Sequence, residues 1–92
     1  MARTVGTASL VDLLRAGVLK KGEELVIKRR SAPDIEGVLQ GDGTIVVEMV
    51  RSKSPSEAAR KALDVGNVDG WLRWRVVRLG GIRLADVRDG KG

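Results

Sequence analysis

The only aromatic residues of this 92-residue chain, Trp71 and Trp74, lie in one arginine-rich segment, Trp71–Arg78. The segment predicts a β-strand, on which successive side chains point to opposite faces. Trp71 would then share a face with Arg73 and Arg75. An aromatic plane beside guanidinium groups can stack on bases and contact phosphates, which is the chemistry of a nucleic-acid surface. The alternative is a solvated strand face on which a half-buried tryptophan packs against arginine stems.

The other face of the predicted strand is apolar. It carries Leu72, Trp74 and Val76, and this company predicts that Trp74 belongs to the core. A separate run of basic residues, 28–30, is the densest positive spot of the chain, although such runs are usually solvated sheet edges. Other cations could join Trp71 on one surface if helix and strand ends converge, and these are Arg51, Lys53, Arg60 and Lys61.

The composition favours an acidic partner. Seventeen Lys and Arg stand against twelve Asp and Glu, for a formal net charge of +5 at pH 7, and the isoelectric point is about 10.2. Such a balance promotes association with nucleic acid or another anionic surface, and it also fits a merely soluble basic domain. The length predicts one small domain, and its core must be aliphatic because Phe and Tyr are absent.

Two missing residue types exclude a large part of enzyme chemistry. The chain has no Cys and no His, so disulfides, Cys/His zinc sites, thiol nucleophiles and histidine acid–base catalysis are all impossible. No apolar run approaches the about 20 residues that cross a bilayer, and the N-terminus lacks the apolar region of a secretory signal. We expect a cytoplasmic protein with no membrane partner, no metal and no cofactor.

The first half of the chain predicts one helix and a hairpin. Thr7 or Ser9 can cap a helix that runs to about Ala16, where Gly17 supplies a left-handed stop. A polar turn at 20–23 precedes a strand at 25–27. The segment 35–40 predicts a second strand and 44–50 a third, because the Gly-Asp-Gly between them is a strong hairpin signal.

The second half predicts a helix, the tryptophan strand and a short closing helical turn. Ser54, Pro55 and Glu57 match a capping box with proline at the first helical position, and the alanines that follow would face the sheet. A Gly80-Gly81 turn leads to a helical turn at 84–88. The class is therefore α+β, with a mainly antiparallel sheet of about four strands. The predicted domain covers 7–89, between tails at 1–6 and 90–92.

The order of these signals resembles the RAMA domain, the restriction enzyme adenine methylase associated module. It is carried by a leucine-rich helix ending in Ala-Gly-Val-Leu-Lys-Lys-Gly, a Gly-Asp-Gly-Thr hairpin, a Ser-Pro-Ser-x-Ala-Ala helix, Val-Asp-Gly-Trp-x-x-Trp and a closing Leu-Ala-Asp-Val-Arg. The resemblance spans roughly Ser9 to Arg88. It implies a DNA-binding accessory module found beside adenine methyltransferases and nucleases, and an animal relative has been associated with methylated adenine.

The resemblance also implies four DNA-linked positions. They are the serine at the start of the middle helix, an Asn, the Trp that follows it and an Arg near the C-terminus, which match Ser54, Asp69, Trp71 and Arg88. Asp69 departs from the pattern, because a carboxylate repels phosphate and cannot donate, although it can accept from an exocyclic amine.

Each position also has a structural interpretation. One interpretation gives Ser54 a helix-capping role and nothing more. In the other, the start of the helix also offers its free N–H groups to a phosphate. Arg88 can form an ion pair with Asp86 or Asp89.

Catalysis is not expected. The carboxylates Asp34 and Glu36 lie on a predicted solvent face, and Lys53 lies between two serines in a predicted exposed connector. The leading hypothesis is a non-enzymatic module that binds double-stranded DNA and reads methylated adenine. Its expected protein partner is a methyltransferase or a nuclease. The alternative is a protein-interaction module that docks an acidic partner or an attached effector subunit. The residues predicted to contact nucleic acid are Ser54, Asp69, Trp71, Arg73, Arg75, Arg88, Arg51, Lys53 and Arg60.

Overall fold

A computed structural model describes residues 9–89. The six strands form one sheet in the order β4-β3-β2-β1-β5-β6, and every neighbouring pair is antiparallel. The α+β class is confirmed, with six strands instead of about four. The predicted tails at 1–6 and 90–92, and the alternative cap Thr7, lie outside the described residues. The elements are α1 (Leu10–Arg15), β1 (Glu24–Ile27), β2 (Ile35–Leu39), β3 (Ile45–Val47), β4 (Val50–Ser52), α2 (Pro55–Leu63), α3 (Gly70–Arg73), β5 (Arg75–Val76), a 3-10 turn (Val77–Leu79), β6 (Ile82–Arg83) and α4 (Leu84–Arg88).

One predicted strand, 44–50, divides into two. The chain reverses at Glu48 and Met49, whose φ angles are 49° and 70°, and Val47 pairs with Val50 on the far side of this turn. A two-residue hairpin loop with both central residues at positive φ matches the twist of antiparallel strands. The sequence hid this turn because neither residue is the glycine or asparagine that such loops normally use.

The predicted strand Trp71–Arg78 is wrong except at Arg75–Val76. Gly70–Arg73 is one helical turn, and Val77–Leu79 is a 3-10 turn. Helical geometry replaces the alternation of a strand, so Leu72 points away from the core and is 48% exposed. Trp71 therefore does not share a strand face with Arg73 and Arg75.

The core lies between the sheet and the helices, and its largest side chain is Trp74. This residue is fully buried, as the sequence predicted, and its Nε1 donates to the Pro55 carbonyl oxygen at 3.0 Å. Gly37 in β2 makes room for the ring, because a Cβ there would lie 3.0 Å from the Trp74 Cη2 atom. Trp74 thereby ties the segment after α3 to the start of α2.

Serine caps fix the starts of two helices. Ser9 forms a complete capping box with Asp12 at the start of α1. Ser54 accepts from the Glu57 backbone N–H at 3.1 Å, as predicted, but the Glu57 carboxylate accepts from Lys61 at 3.0 Å. Only half of the predicted capping box at α2 is therefore present. Ala58 and Ala59 are buried, as expected for the sheet-facing side of this helix.

The polar turn predicted at 20–23 ends in a buried carboxylate. Glu23 is 5% exposed and accepts two hydrogen bonds of 2.9 Å from the Arg78 guanidinium. The bond from Arg78 holds the pKa of Glu23 below its usual value, although burial acts in the opposite direction. This pair fastens β1 to the turn after β5. Within residues 9–89, no helix is long and apolar enough to cross a membrane.

Candidate nucleic-acid interface

The starts of α2 and α3 are in direct contact. The Gly70 backbone N–H donates to the Ser56 hydroxyl at 3.0 Å, and a Cβ at Gly70 would overlap the Pro55 carbonyl group. Only glycine allows this approach. The Ser54 hydroxyl accepts from the Glu57 backbone N–H. The structure thus gives Ser54 the predicted capping role, and a contact of the helix start with a phosphate stays a prediction.

Asp69 caps α3. Its Oδ1 accepts from the Trp71 backbone N–H at 3.0 Å, while the residue as a whole is exposed. Aspartate and asparagine serve equally well at this helix position because both present a side-chain oxygen. Asp69, where the resemblance implies an asparagine, therefore keeps the local geometry. It differs from asparagine in its negative charge and in the absence of an amide donor.

Trp71 and Arg88 form a stacked pair next to this cap. The Arg88 Cζ atom lies 4.2 Å from the centroid of the Trp71 ring, within the range of a cation–π interaction. Trp71 is half-buried and packs against the core with its inner edge. The predicted alternative for Arg88, an ion pair with Asp86 or Asp89, is not present within residues 9–89, where Asp86 accepts from Arg83 at 3.2 Å.

The Arg88 guanidinium carries an unsatisfied donor. Its Nε atom is buried, and no residue between 9 and 89 accepts a hydrogen bond from it. A buried N–H without an acceptor costs free energy, so such a group in a folded protein calls for a specific explanation. The Nη groups of Arg88 are not buried, so they are the part of the guanidinium that a ligand can reach.

Four of the predicted positions therefore come together. Asp69, Trp71 and Arg88 are linked by the cap and the stacked pair, and Ser54 lies one residue from the Pro55 contact with Gly70. We call this cluster the tryptophan site. Its members are Ser54, Asp69, Trp71 and Arg88.

Arg73 and Arg75 lie elsewhere. They line a cleft of about 610 Å³ together with the basic run at 28–30 and the side chains of Leu63 and Leu72. Because Arg73 is two residues after Trp71 on a helix, it points to the opposite side of α3. The strand prediction had placed both arginines beside Trp71, and the helix separates them from it.

The three remaining predicted cations are dispersed over the surface. Arg51 lies on β4 and forms an exposed ion pair of 3.5 Å with Asp42, in the turn between β2 and β3. Lys53 is exposed immediately before Ser54, and Arg60 is exposed on α2. Of the three, only Lys53 adjoins the tryptophan site along the chain.

Sequence reasoning missed two residues that shape the tryptophan site. Ser56 and Gly70 make the contact between the two helix starts, and neither was assigned a role. The signal for α3 was present in Asp69-Gly70-Trp71, since an aspartate can cap a helical turn that begins at the next residue. It was outweighed by the apparent alternation of the residues that follow.

The fold and this cluster define a small basic α+β module that presents a stacked tryptophan–arginine pair beside two helix starts. The model of the RAMA family, Restriction Enzyme Adenine Methylase Associated, matches residues 1–90. The chain belongs to this family, which confirms the resemblance found in the sequence and associates the chain with restriction–modification systems.

A partial likeness to a viral protein is also present. A 48-residue stretch is 38% identical to Protein Rev of Caprine arthritis encephalitis virus (strain Cork) and covers 52% of this chain. The match spans 36% of the length of that protein. A likeness over about a third of the relative shows no shared family.

Proposed function

We propose that this protein is a non-enzymatic DNA-binding module of a restriction–modification system, and that the tryptophan site contacts the DNA. Family membership supports the setting. The single observation that carries the proposal is the stacking of the Arg88 guanidinium on Trp71, which fixes its plane. Within residues 9–89 no hydrogen bond engages its Nη groups and only the Nε is buried, so the Nη groups can bind phosphate oxygens or the acceptor edge of guanine.

The stacked pair is suited to hold a nucleotide. The inner edge of Trp71 is fixed by the core, and the ring is only partly covered. A ring held in this way contributes aromatic contact area without losing much side-chain freedom on binding. Base–aromatic stacking is worth about 1–3 kcal/mol per base, and Arg adds a cation–π contribution. Trp71 and Arg88 together thus offer a plane and a charge to one nucleotide.

Asp69 supports a preference for adenine. Its Oδ1 is held by the cap, and the residue is exposed, so its other oxygen is available to accept a hydrogen bond. The N6 amine of adenine keeps one hydrogen after a single methylation, and thymine accepts that hydrogen while the base is paired. Asp69 can therefore accept it from a methylated adenine that is flipped out of the duplex and stacked on Trp71. We propose that the partner is double-stranded DNA, with methylated adenine as the preferred base and a methyltransferase or nuclease acting on the same DNA.

Titration with three DNAs tests the proposal. Fluorescence anisotropy would be followed for labelled duplex, adenine-methylated duplex and single-stranded DNA over a range of salt concentrations. We expect duplex binding that weakens steeply with salt, as phosphate contacts require, and that is tightest for the methylated duplex. The absence of duplex binding at low salt would contradict the proposal and would favour docking of an acidic protein.

Intrinsic fluorescence assigns the binding to the tryptophan site. Trp74 is fully buried, whereas Trp71 is partly exposed, so a base that stacks on Trp71 should quench its emission selectively. Trp71→Leu should remove the quenching and weaken binding. Met49→Ala is the matched control, because Met49 is 96% exposed at the hairpin between β3 and β4 and should leave both signals unchanged.

A further inference from the structure

The cleft beside α3 is the most concentrated basic surface within the described part of the chain. Its walls carry five cations and no carboxylate, and two leucines form its apolar part. We call it the basic cleft. The lining residues are Lys28, Arg29, Arg30, Arg73 and Arg75, with Leu63 and Leu72.

Strand pairing brings these cations together. β1 ends at Ile27, so the basic run follows it directly, and Val26 pairs with Arg75 on the neighbouring strand β5. Arg73 comes two residues before Arg75, at the end of α3. Two segments that are about 45 residues apart in sequence thus place their positive charges on the same cleft, a non-local coincidence that a solvated sheet edge does not require.

Protein contacts orient most of these charges and neutralise only one of them. Lys28 forms an ion pair of 3.1 Å with Asp34. The Arg29 Nε donates to the Pro33 carbonyl oxygen at 2.8 Å, and an Arg75 Nη1 donates to the Gly81 carbonyl oxygen at 2.9 Å. Carbonyl acceptors fix a guanidinium in place and leave its charge intact, so the cleft remains strongly positive.

Like charges gathered in this way repel one another, and a bound polyanion relieves that repulsion. Arginine suits phosphate in particular, because its planar fork matches two phosphate oxygens. An open cleft lined by several cations fits a run of phosphates better than a single small anion, since counterions are released from each neutralised phosphate.

We propose that the basic cleft binds backbone phosphates of the same duplex that contacts the tryptophan site; this inference rests on the proposed function and extends it. The two sites lie toward opposite ends of α2, because Ser54 precedes its first residue and Leu63 is its last. Eight residue steps of an α-helix measure about 12 Å. At about 3.4 Å per base step, this length corresponds to three or four base pairs. Trp71 and Arg73 point to opposite sides of the single turn α3, so the duplex would have to lie across α3 to contact both sites.

Charge-neutralising variants test the cleft. Arg30→Gln with Arg73→Gln removes two exposed charges from the cleft. Arg15→Gln with Lys21→Gln removes two exposed charges outside it, at the end of α1 and in the turn before β1. Both pairs change the net charge equally. The measurement is the affinity of each variant for unmodified duplex DNA at several salt concentrations, with the slope of log K against log salt.

We expect the cleft variant to bind more weakly and to lose about 1.8 from the magnitude of the salt slope, which corresponds to two phosphate contacts. The control pair should leave the slope unchanged. Equal slopes in the two variants would overturn the inference. Single Arg30→Gln, in a residue outside every helix and strand, should lose about 0.9 and shows that the effect does not arise from disturbed α3.

A second signal separates this inference from the proposed function. If DNA still quenches Trp71 in the cleft variant and the salt slope is unchanged, the tryptophan site binds DNA and the basic cleft does not. If the cleft variant loses slope while DNA never quenches Trp71 in the wild-type protein, the cleft binds phosphates and the proposed role of the tryptophan site is wrong. Absence of duplex binding by the wild-type protein would overturn both.

Discussion

Arg78 and Arg88 lie ten positions apart and differ in the hydrogen-bond partners that the protein gives to their guanidinium groups. Arg78 gives two hydrogen bonds to the buried Glu23 carboxylate and a third, of 3.1 Å, to the Val18 carbonyl oxygen. Arg88 lies over the Trp71 ring with a buried Nε that no described residue accepts from. The Arg78 guanidinium has its hydrogen-bond partners within the fold. The Arg88 guanidinium is positioned by Trp71 and has no hydrogen-bond partner within the described residues.

This difference separates a structural arginine from a binding arginine. Hydrogen bonds within the protein offset the desolvation of the Arg78 guanidinium. Removal of Arg78 should therefore lower the free energy of unfolding. The Arg88 guanidinium makes no ion pair within the described residues, and its accessible Nη groups are available to a ligand. Removal of Arg88 should therefore lower the affinity for DNA, with a loss of stability limited to its contact with Trp71, about 0.5–1 kcal/mol.

The largest expected effect is on stability, in Arg78→Ala. This change leaves the buried Glu23 carboxylate without its side-chain donor, and a buried acceptor in that state costs about 1–3 kcal/mol. We expect the free energy of unfolding, measured by urea denaturation, to fall by an amount in that range. The control is Arg83→Ala, which breaks a more exposed ion pair with Asp86 of a kind that contributes about 0.2–1 kcal/mol. Equal losses in the two variants would show that the Glu23 pair has no special role.

The same pair predicts a pH dependence. Because the hydrogen bond from Arg78 lowers the pKa of Glu23 in the folded protein, its contribution is present above the unfolded pKa, about 4.3, and is lost as pH falls through the folded value. The difference in unfolding free energy between wild type and Arg78→Ala should therefore shrink on acidification below about pH 4. A difference that stays constant from pH 7 to about pH 3 would contradict this assignment.

The second effect is on DNA affinity, in Arg88→Lys. Lysine keeps the positive charge but loses the planar fork and most of the stacking on Trp71, so the change isolates geometry from charge. We expect binding to weaken about tenfold, as for the loss of one good charge-assisted contact. The free energy of unfolding should fall by no more than about 1 kcal/mol, the range of a cation–π contact at a partly exposed site. Unchanged affinity would mean that Arg88 acts only through its charge.

The smallest effect is expected for Asp69→Asn. Asparagine preserves the cap on the Trp71 N–H and removes a negative charge next to the proposed DNA contact. Unmodified duplex should bind about threefold more tightly, a modest gain appropriate to a solvent-exposed charge. The preference for methylated adenine should be lost, because the second side-chain atom becomes an amide donor that cannot accept from the N6 amine. Asp42→Asn removes an equal charge in the turn between β2 and β3 and serves as the control. A tighter complex in both variants would reduce the effect to net charge.

The elements that could be predicted from sequence are those fixed by local chemistry. Gly-Asp-Gly specified the β2–β3 hairpin, Ser54-Pro55 specified the start of α2, and the positive φ of 77° at Gly17 ends α1 as expected. Trp74 was assigned to the core correctly. That assignment relied on strand alternation with Leu72, but Leu72 is exposed. The prediction for Trp74 was therefore correct because the side chain is large and apolar, and not because of the strand period.

The parts that failed depend on contacts between distant segments. α3 spans a single turn, which is too short to show a helical period, and it is fixed by the Gly70 contact with the start of α2. Glu23 and Arg78 are 55 positions apart, so no local sequence pattern predicts their ion pair. The tryptophan site was anticipated through the family resemblance, whereas the strand argument placed Trp71 with the wrong arginines.

One comparison tests the division of roles most directly. Arg88→Gln and Arg78→Gln remove the same charge from the same kind of side chain, and each would be titrated with duplex DNA while its urea denaturation is recorded. We predict that Arg88→Gln weakens binding at least tenfold with stability retained, and that Arg78→Gln lowers stability with the affinity of the folded protein changed much less. Equal losses of affinity in the two variants, or unfolding of Arg88→Gln, would contradict the assignment of Arg88 to DNA.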